Sequence, residues 1–172
     1  MNILYTSREQ VQVYKFNLPA AIAIPLLAVF FQSFVSVHFF WLTIFDLPLL
    51  VTIFFAVSRR HPVAGLMTGG IIGMLQDSLT HLPIGVYGIA KTVVGYIGSS
   101  LGVKLDVENP GSRFLMTFAF YVLHQAIFFV IARGMVGQAL VFRWGHLLVG
   151  AVANAFLAVP LFAILDRARS RS

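Results

Sequence analysis

Six long apolar stretches, joined by loops too short to form a domain, limit what this chain can fold into. They lie at about 18–37, 39–57, 62–80, 85–103, 114–132 and 145–165. A helix needs about 20 apolar residues to cross roughly 30 Å of hydrocarbon. The sequence therefore predicts an all-α, polytopic membrane protein with six transmembrane helices, in one domain over residues 1–172.

The composition supports a membrane protein over a soluble one. Hydrophobic residues make up 59% of the chain and charged residues 10%, whereas a soluble domain is about 25% charged. A pI of 10.2 is typical of nucleic-acid-binding proteins, but here the basic residues flank apolar stretches, so we expect no nucleic-acid partner. Residues 1–16 are not apolar enough to span, and we expect a cytoplasmic segment, either a short interfacial helix or a tail.

The distribution of lysine and arginine predicts the orientation. Nine basic residues fall on the side that holds both termini: Arg8, Lys15, Arg59, Arg60, Lys104, Arg113, Arg167, Arg169 and Arg171. Only Arg133 and Arg143 fall on the opposite side, and Lys91 lies within a stretch. Since cytoplasmic flanks are enriched in Lys and Arg, both termini are predicted to be cytoplasmic. Arg59, Arg60, Arg167, Arg169 and Arg171 either set topology alone or also bind anionic lipid or a partner.

Glycines recur at helical spacing in the third and fourth stretches. Gly65, Gly69, Gly73 and then Asp77 follow one another every four residues, so they drift only about 40° per step around one helix face. The fourth stretch has a comparable face, formed by Gly88, Gly95, Gly98 and Gly102. Such faces let helix backbones approach closely. They predict either helix packing, within the protein or with a partner, or the lining of a pore or substrate path.

Asp46, Asp77, Lys91 and His124 are ionisable residues that fall inside the predicted spans. The first three lie roughly 10, 5 and 9 Å below the surface opposite the termini, and His124 lies deeper. An unpaired charge in the bilayer costs at least ~2.5 kcal/mol, so these groups are expected to face inward as a buried polar cluster. Lys91 is predicted to pair with Asp77 or Asp46. The sequence is compatible with three roles for these residues: a structural ion pair, exposure at the membrane interface, or part of a substrate pocket.

Sequence signatures of membrane enzymes are missing. His-Glu-x-x-His and Gly-x-Ser-x-Gly do not occur, and cysteine is absent, which excludes thiolate ligands. We therefore expect no catalytic residues, no metal site, no cofactor and no enzymatic activity.

The run from Gly65 to Asp77, which ends in Gln76-Asp77, precedes Pro83-Ile84-Gly85-Val86-Tyr87-Gly88. This combination resembles the MreD family of rod-shape-determining membrane proteins, in which a glycine-rich helix ends in an acid and a Pro-x-Gly-x-Tyr-like segment starts the next helix. The motif covers about residues 61–102. Elsewhere the likeness is in length, number of spans and cytoplasmic termini.

The resemblance implies a non-catalytic scaffold or regulatory subunit of the bacterial cell-wall elongation complex, multi-pass in the cytoplasmic (inner) membrane. It implies an MreC-like partner and, through it, MreB, RodA and a class B penicillin-binding protein, with membrane lipids around the helices. MreD proteins are similar in fold to the substrate-binding subunits of energy-coupling-factor vitamin transporters. Such a transporter subunit is the alternative function; it needs an outer pocket, and the sequence has no evident long outer loop to close one.

Overall fold

A computed structural model describes residues 15–16, 18–80, 82–102 and 109–170. Most of the predicted N-terminal segment, before Lys15, lies outside the described residues, as do Lys104 and Arg171. The described chain is helical, with six α-helices: α1 (Leu18–His38), α2 (Leu47–Arg59), α3 (Pro62–Leu79), α4 (Val86–Leu101), α5 (Pro110–Gly134) and α6 (Trp144–Leu165). A short 3-10 helix, Phe40–Ile44, precedes α2, and another, Asp166–Ala168, follows α6.

Four segments of the described chain are long and apolar enough to cross a membrane. They are Pro19–His38, Trp41–Arg59, Pro110–Gly134 and Trp144–Leu165. Helix α4 has only 16 residues, below the 17–25 typical of a span, and α3 is diluted by glycine and polar side chains. The described chain is thus that of an all-helical membrane protein, with four segments long and apolar enough to cross the bilayer.

The second apolar stretch differs from the single helix predicted over 39–57. The chain forms the 3-10 helix, becomes extended at Phe45, and begins α2 only at Leu47. Asp46 caps α2, because its carboxylate accepts a hydrogen bond of 2.9 Å from the backbone N–H of Leu49. Pro48 follows in the first turn, where its missing N–H costs nothing.

Helix α2 lies at the centre of the bundle, and its residues from Pro48 to Ser58 are buried. Helices α3 and α4 pack closely against each other, and α5 packs against α6. Phe54 of α2 meets Phe162 of α6 with ring centroids 5.4 Å apart. Helix α1 lies at the outside of the bundle, and most of its residues are exposed or half-buried. Its exposed phenylalanines are the kind of surface that lipid solvates at no cost.

The two ends of the described chain lie at the same end of the bundle. Lys15–Phe16, just before α1, forms a two-residue antiparallel backbone pairing with Arg169–Ser170, just after α6. Arg113 at the start of α5 forms an ion pair with Asp166, which follows α6. The connection between α5 and α6 therefore lies at the opposite end.

Candidate functional site

The bundle interior contains a cluster of buried polar side chains: Asp46, Lys91, His124 and Asn154. We call these four residues the polar cluster. Lys91, His124 and Asn154 are fully buried, and Asp46 is 8% exposed. They come from four elements, since Asp46 caps α2, Lys91 is on α4, His124 on α5 and Asn154 on α6. The cluster therefore joins four helices through polar contacts.

The ion pair of the cluster joins Lys91 to Asp46. The ammonium nitrogen, Nζ, lies 2.9 Å from Oδ2 of Asp46 and 3.1 Å from Oδ1. Of the two carboxylates expected as partners, Asp46 is the one that pairs with Lys91, and Asp77 makes no hydrogen bond or ion pair with it among the described residues. Because both charges are removed from water, neither side chain can be lost without leaving the other uncompensated.

His124 completes the coordination of Lys91. Its Nε2 lies 3.3 Å from Lys91 Nζ. Since an ammonium can only donate, Nε2 accepts and the ring hydrogen is assigned to Nδ1. That Nδ1 is buried without a hydrogen-bond partner in the described part of the chain. The Tyr87 ring stacks parallel to His124 with centroids 5.8 Å apart, and Lys91 Nζ lies 5.0 Å from the same Tyr87 centroid.

Asn154 holds the irregular backbone between the 3-10 helix and α2. Its Oδ1 accepts from the N–H of Asp46 at 2.9 Å, and its Nδ2 donates to the carbonyl of Ile44 at 2.8 Å. Irregular backbone within a membrane needs such partners, since lipid supplies none. An asparagine inside an apolar stretch such as α6 predicts interhelical hydrogen bonds, which Asn154 makes, although the predicted buried polar cluster did not include it.

Asp77 has a different role from the polar cluster, because it caps α4. Its Oδ2 accepts from the N–H groups of Gly85 at 2.8 Å and Gly88 at 3.0 Å, and its Oδ1 accepts from Tyr87 at 2.9 Å. A carboxylate satisfies the free N–H groups at a helix N-terminus and complements the helix dipole. Gly85 has φ of 113°, a conformation that favours glycine. The acid, the loop glycine and the start of α4 thus form one local unit.

Asp77→Asn is expected to lower the free energy of unfolding by about 1–2 kcal/mol, because the amide loses the charge and one of its two acceptor atoms. The local readout is hydrogen exchange, which should speed up at the backbone N–H groups of Gly85, Tyr87 and Gly88. Ser78→Ala is the matched control, since the exposed Ser78 hydroxyl only bonds its own helix at Met74. Unchanged exchange in Asp77→Asn would contradict the capping role.

The predicted glycine faces lie inside the protein and bring helices together. A Cβ at Gly65 would overlap the Gly95 carbonyl and Ser99, one at Gly69 the Lys91 carbonyl, and one at Gly73 the backbone of Tyr87 and Gly88. On α4, Gly98 faces Ala56 and Phe120, while Gly102 faces the backbone of Val57. Among the described residues, these faces serve packing of α3 and α2 against α4, which is one of the alternatives left open by their spacing.

The predicted basic flank lies far from the polar cluster, toward the end of the bundle that holds the termini. The Arg59 guanidinium lies 5.5 Å from the Phe55 ring centroid. Arg60 has φ of 51° at the end of α2, and its Nε is buried without a partner among the described residues. Arg167 is exposed, and the Arg169 backbone takes part in the pairing with Phe16.

The contacts of the polar cluster define what it can do. The carboxylate of Asp46 is occupied by Lys91 and by the Leu49 N–H, and all three ammonium hydrogens have acceptors in Asp46 and His124. In the described residues, no three His, Cys, Asp or Glu side chains come together as a metal site. The geometry is that of a fixed polar connection between helices.

Comparison with known proteins adds no relative. No protein-family model matches the chain, and neither curated proteins nor solved structures give a significant match.

Proposed function

We propose that this protein is a non-catalytic scaffold or regulatory subunit of the bacterial cell-wall elongation complex, acting in rod-shape control with an MreC-like protein. It would cross the cytoplasmic membrane six times with both termini in the cytoplasm. Through the MreC-like partner it would connect to MreB, RodA and a class B penicillin-binding protein.

The observation that carries the proposal is the unit built by α3, Asp77 and the start of α4. The residues that resemble the MreD family are the ones that make this unit: Gly73 lets α3 touch the backbone of Gly88, and Asp77 caps α4. The residues on which the resemblance rests therefore share one structural task, which supports the proposal.

The interior contacts also support a scaffold. The Lys91–Asp46 pair is closed by its own hydrogen bonds, and the glycine faces are occupied by neighbouring helices. What remains for partners is the outside of the bundle, above all α1, whose Phe30, Phe31 and Phe34 are exposed. A subunit of this kind would act by contact along helix faces.

One observation favours the alternative, a substrate-binding subunit of an energy-coupling-factor type vitamin transporter. The connection over 135–143, at the end opposite the termini, folds back over α5: Gln138 donates its N–H to the Ala132 carbonyl at 3.0 Å. This connection borders a cleft of about 310 Å³ between α5 and α6. The sequence showed no evident long outer loop to close a pocket, and the packed connection over 135–143 therefore supports this alternative.

Purification of the tagged protein from its own host in mild detergent tests the two functions. An MreC-like protein in the eluate, together with loss of rod shape on depletion, is expected for the scaffold. A pair of ATPases with a bound vitamin, and unchanged cell shape on depletion, would overturn it in favour of the transporter subunit. Gly145→Ala, at a position with open space around it, is the control variant that should keep both the partner and the shape.

A further inference from the structure

A cleft between α5 and α6 opens at the end of the bundle opposite the termini. Its volume is about 310 Å³, and α5, the 135–143 connection and the start of α6 all contribute to its walls. Tyr121 and Gln125 lie at the deep end, Phe128 and Phe142 line the sides, and Arg143 and His146 lie at the end nearest the connection. The sequence did not single out any of these six residues as a site.

Aromatic contacts hold the 135–143 connection in place, where it forms one wall of the cleft. The Phe142 ring packs edge-on against Phe129 of α5 at 5.0 Å and against Trp144 of α6 at 4.7 Å, both between ring centroids. Arg133 donates to the Leu140 carbonyl at 3.3 Å. The connection is therefore packed onto the helices, and the cleft keeps its shape without a ligand.

Arg143 gives the mouth of the cleft a positive charge that no described residue neutralises. Arg143 and His146 are both exposed, and no ion pair involves either of them in the described part of the chain. Among the described residues, the acids in this half of the bundle are Asp46, which pairs with Lys91, and Asp77, which accepts from α4 N–H groups. An anionic group is the complement that this mouth lacks.

The cleft runs from polar side chains at its mouth to apolar side chains along its walls, which suits an amphiphilic ligand. Trp144 is 70% exposed at the start of α6, as expected of a residue at the membrane interface. Tyr121 lies 13 residues before the end of α5, which places it about 20 Å further along the helix. The cleft thus descends from the interface toward the middle of the bilayer, with Arg143 and His146 at the top and phenylalanines along its sides.

We propose that this cleft binds one acidic phospholipid from the leaflet opposite the termini. Its phosphate lies at Arg143 and His146, and an acyl chain runs along Phe128 and Phe142. At the deep end of the cleft, Gln125 donates an N–H to Tyr121 Oη at 3.0 Å. The proposal is independent of the partner proteins named above.

Native mass spectrometry tests the site, using purified protein released from nanodiscs of equimolar phosphatidylglycerol and phosphatidylcholine. We expect one retained phosphatidylglycerol per protein. One cation near a membrane phosphate contributes about 1 kcal/mol, so Arg143→Gln should lower retention about fivefold. Arg143→Lys is the matched control: it keeps the positive charge at the mouth of the cleft and should leave retention close to that of the wild type.

Three outcomes would overturn the proposal. They are equal retention of both lipids, equal retention by Arg143→Gln and the wild type, and displacement of phosphatidylglycerol by equimolar inorganic phosphate. The last result would assign the mouth to a soluble anion. Because Arg143 is exposed, its variant should elute as the wild type does in size-exclusion chromatography, so a loss of lipid reports on the cleft.

Discussion

Lys91→Met is expected to lower the free energy of unfolding by about 3–5 kcal/mol, because it leaves the Asp46 carboxylate buried without its counter-charge. The Lys91 ammonium is fully buried and holds both carboxylate oxygens. Unfolding of the purified protein by SDS titration in mixed micelles, followed by circular dichroism, measures the change. Most of the native stability should return when the carboxylate is removed as well.

The double variant Asp46→Asn/Lys91→Met makes the prediction specific to this pair. Asparagine caps a helix about as well as aspartate, so α2 keeps its cap while the charge disappears. Recovery by this double variant, and none by Asp77→Asn/Lys91→Met, is the expected pattern. If the Asp77 combination restored stability instead, the ion pair would be wrongly assigned. Arg143→Met, which removes an exposed cation, should change stability by less than about 0.5 kcal/mol.

Gly69→Leu is expected to prevent folding, and Gly69→Ala to cost at least about 1–3 kcal/mol. Even one added carbon at Gly69 overlaps the backbone carbonyl of Lys91. A backbone cannot swing aside as a flexible side chain does, so α3 and α4 must separate. Because Lys91 is on α4, that separation should also loosen the ion pair with Asp46. The yield of monodisperse protein and the SDS midpoint are the measurements.

Gly145→Ala is the matched control for the glycine prediction. Both residues are helical glycines, but a Cβ at Gly145 meets no atom within 4 Å. Alanine is favoured over glycine in a helix by up to about 1 kcal/mol, so this variant should be neutral or slightly more stable. Equal effects of alanine at Gly69 and Gly145 would show that backbone flexibility, and not the close approach of α3 and α4, governs both sites.

The helical, membrane-type fold follows from the sequence because hydropathy alone specifies it. The details that hydropathy misses depend on local signals that are weaker than the apolar runs. Helix α5 begins at Pro110, four residues before its predicted start, since Asn109 caps it. The break before α2 comes from Asp46 and Pro48, which lie inside an otherwise continuous apolar run. In both places, capping residues set the boundary.

The partner of Lys91 could not be read from the sequence. Depth along the helices placed Asp46 and Asp77 within reach, but the choice depends on how α2, α3 and α4 are rotated about their axes. That rotation is set by contacts such as Gly69 against the Lys91 backbone. Asp77 turns instead toward the first N–H groups of α4. The spacing of residues in the sequence shows which of them share a helix face, but it does not show which residue of another helix lies opposite.

The hydrogen bonds of Asn154 have a consequence for the order in which the protein is made. Asn154 lies 110 residues after Ile44 and 108 after Asp46, whose backbone groups it binds. While the ribosome is still synthesising the middle of the chain, these groups lack their partner. The first hairpin therefore reaches its final form only after the last helix has been inserted, and a chain truncated before α6 should be a substrate for membrane proteases.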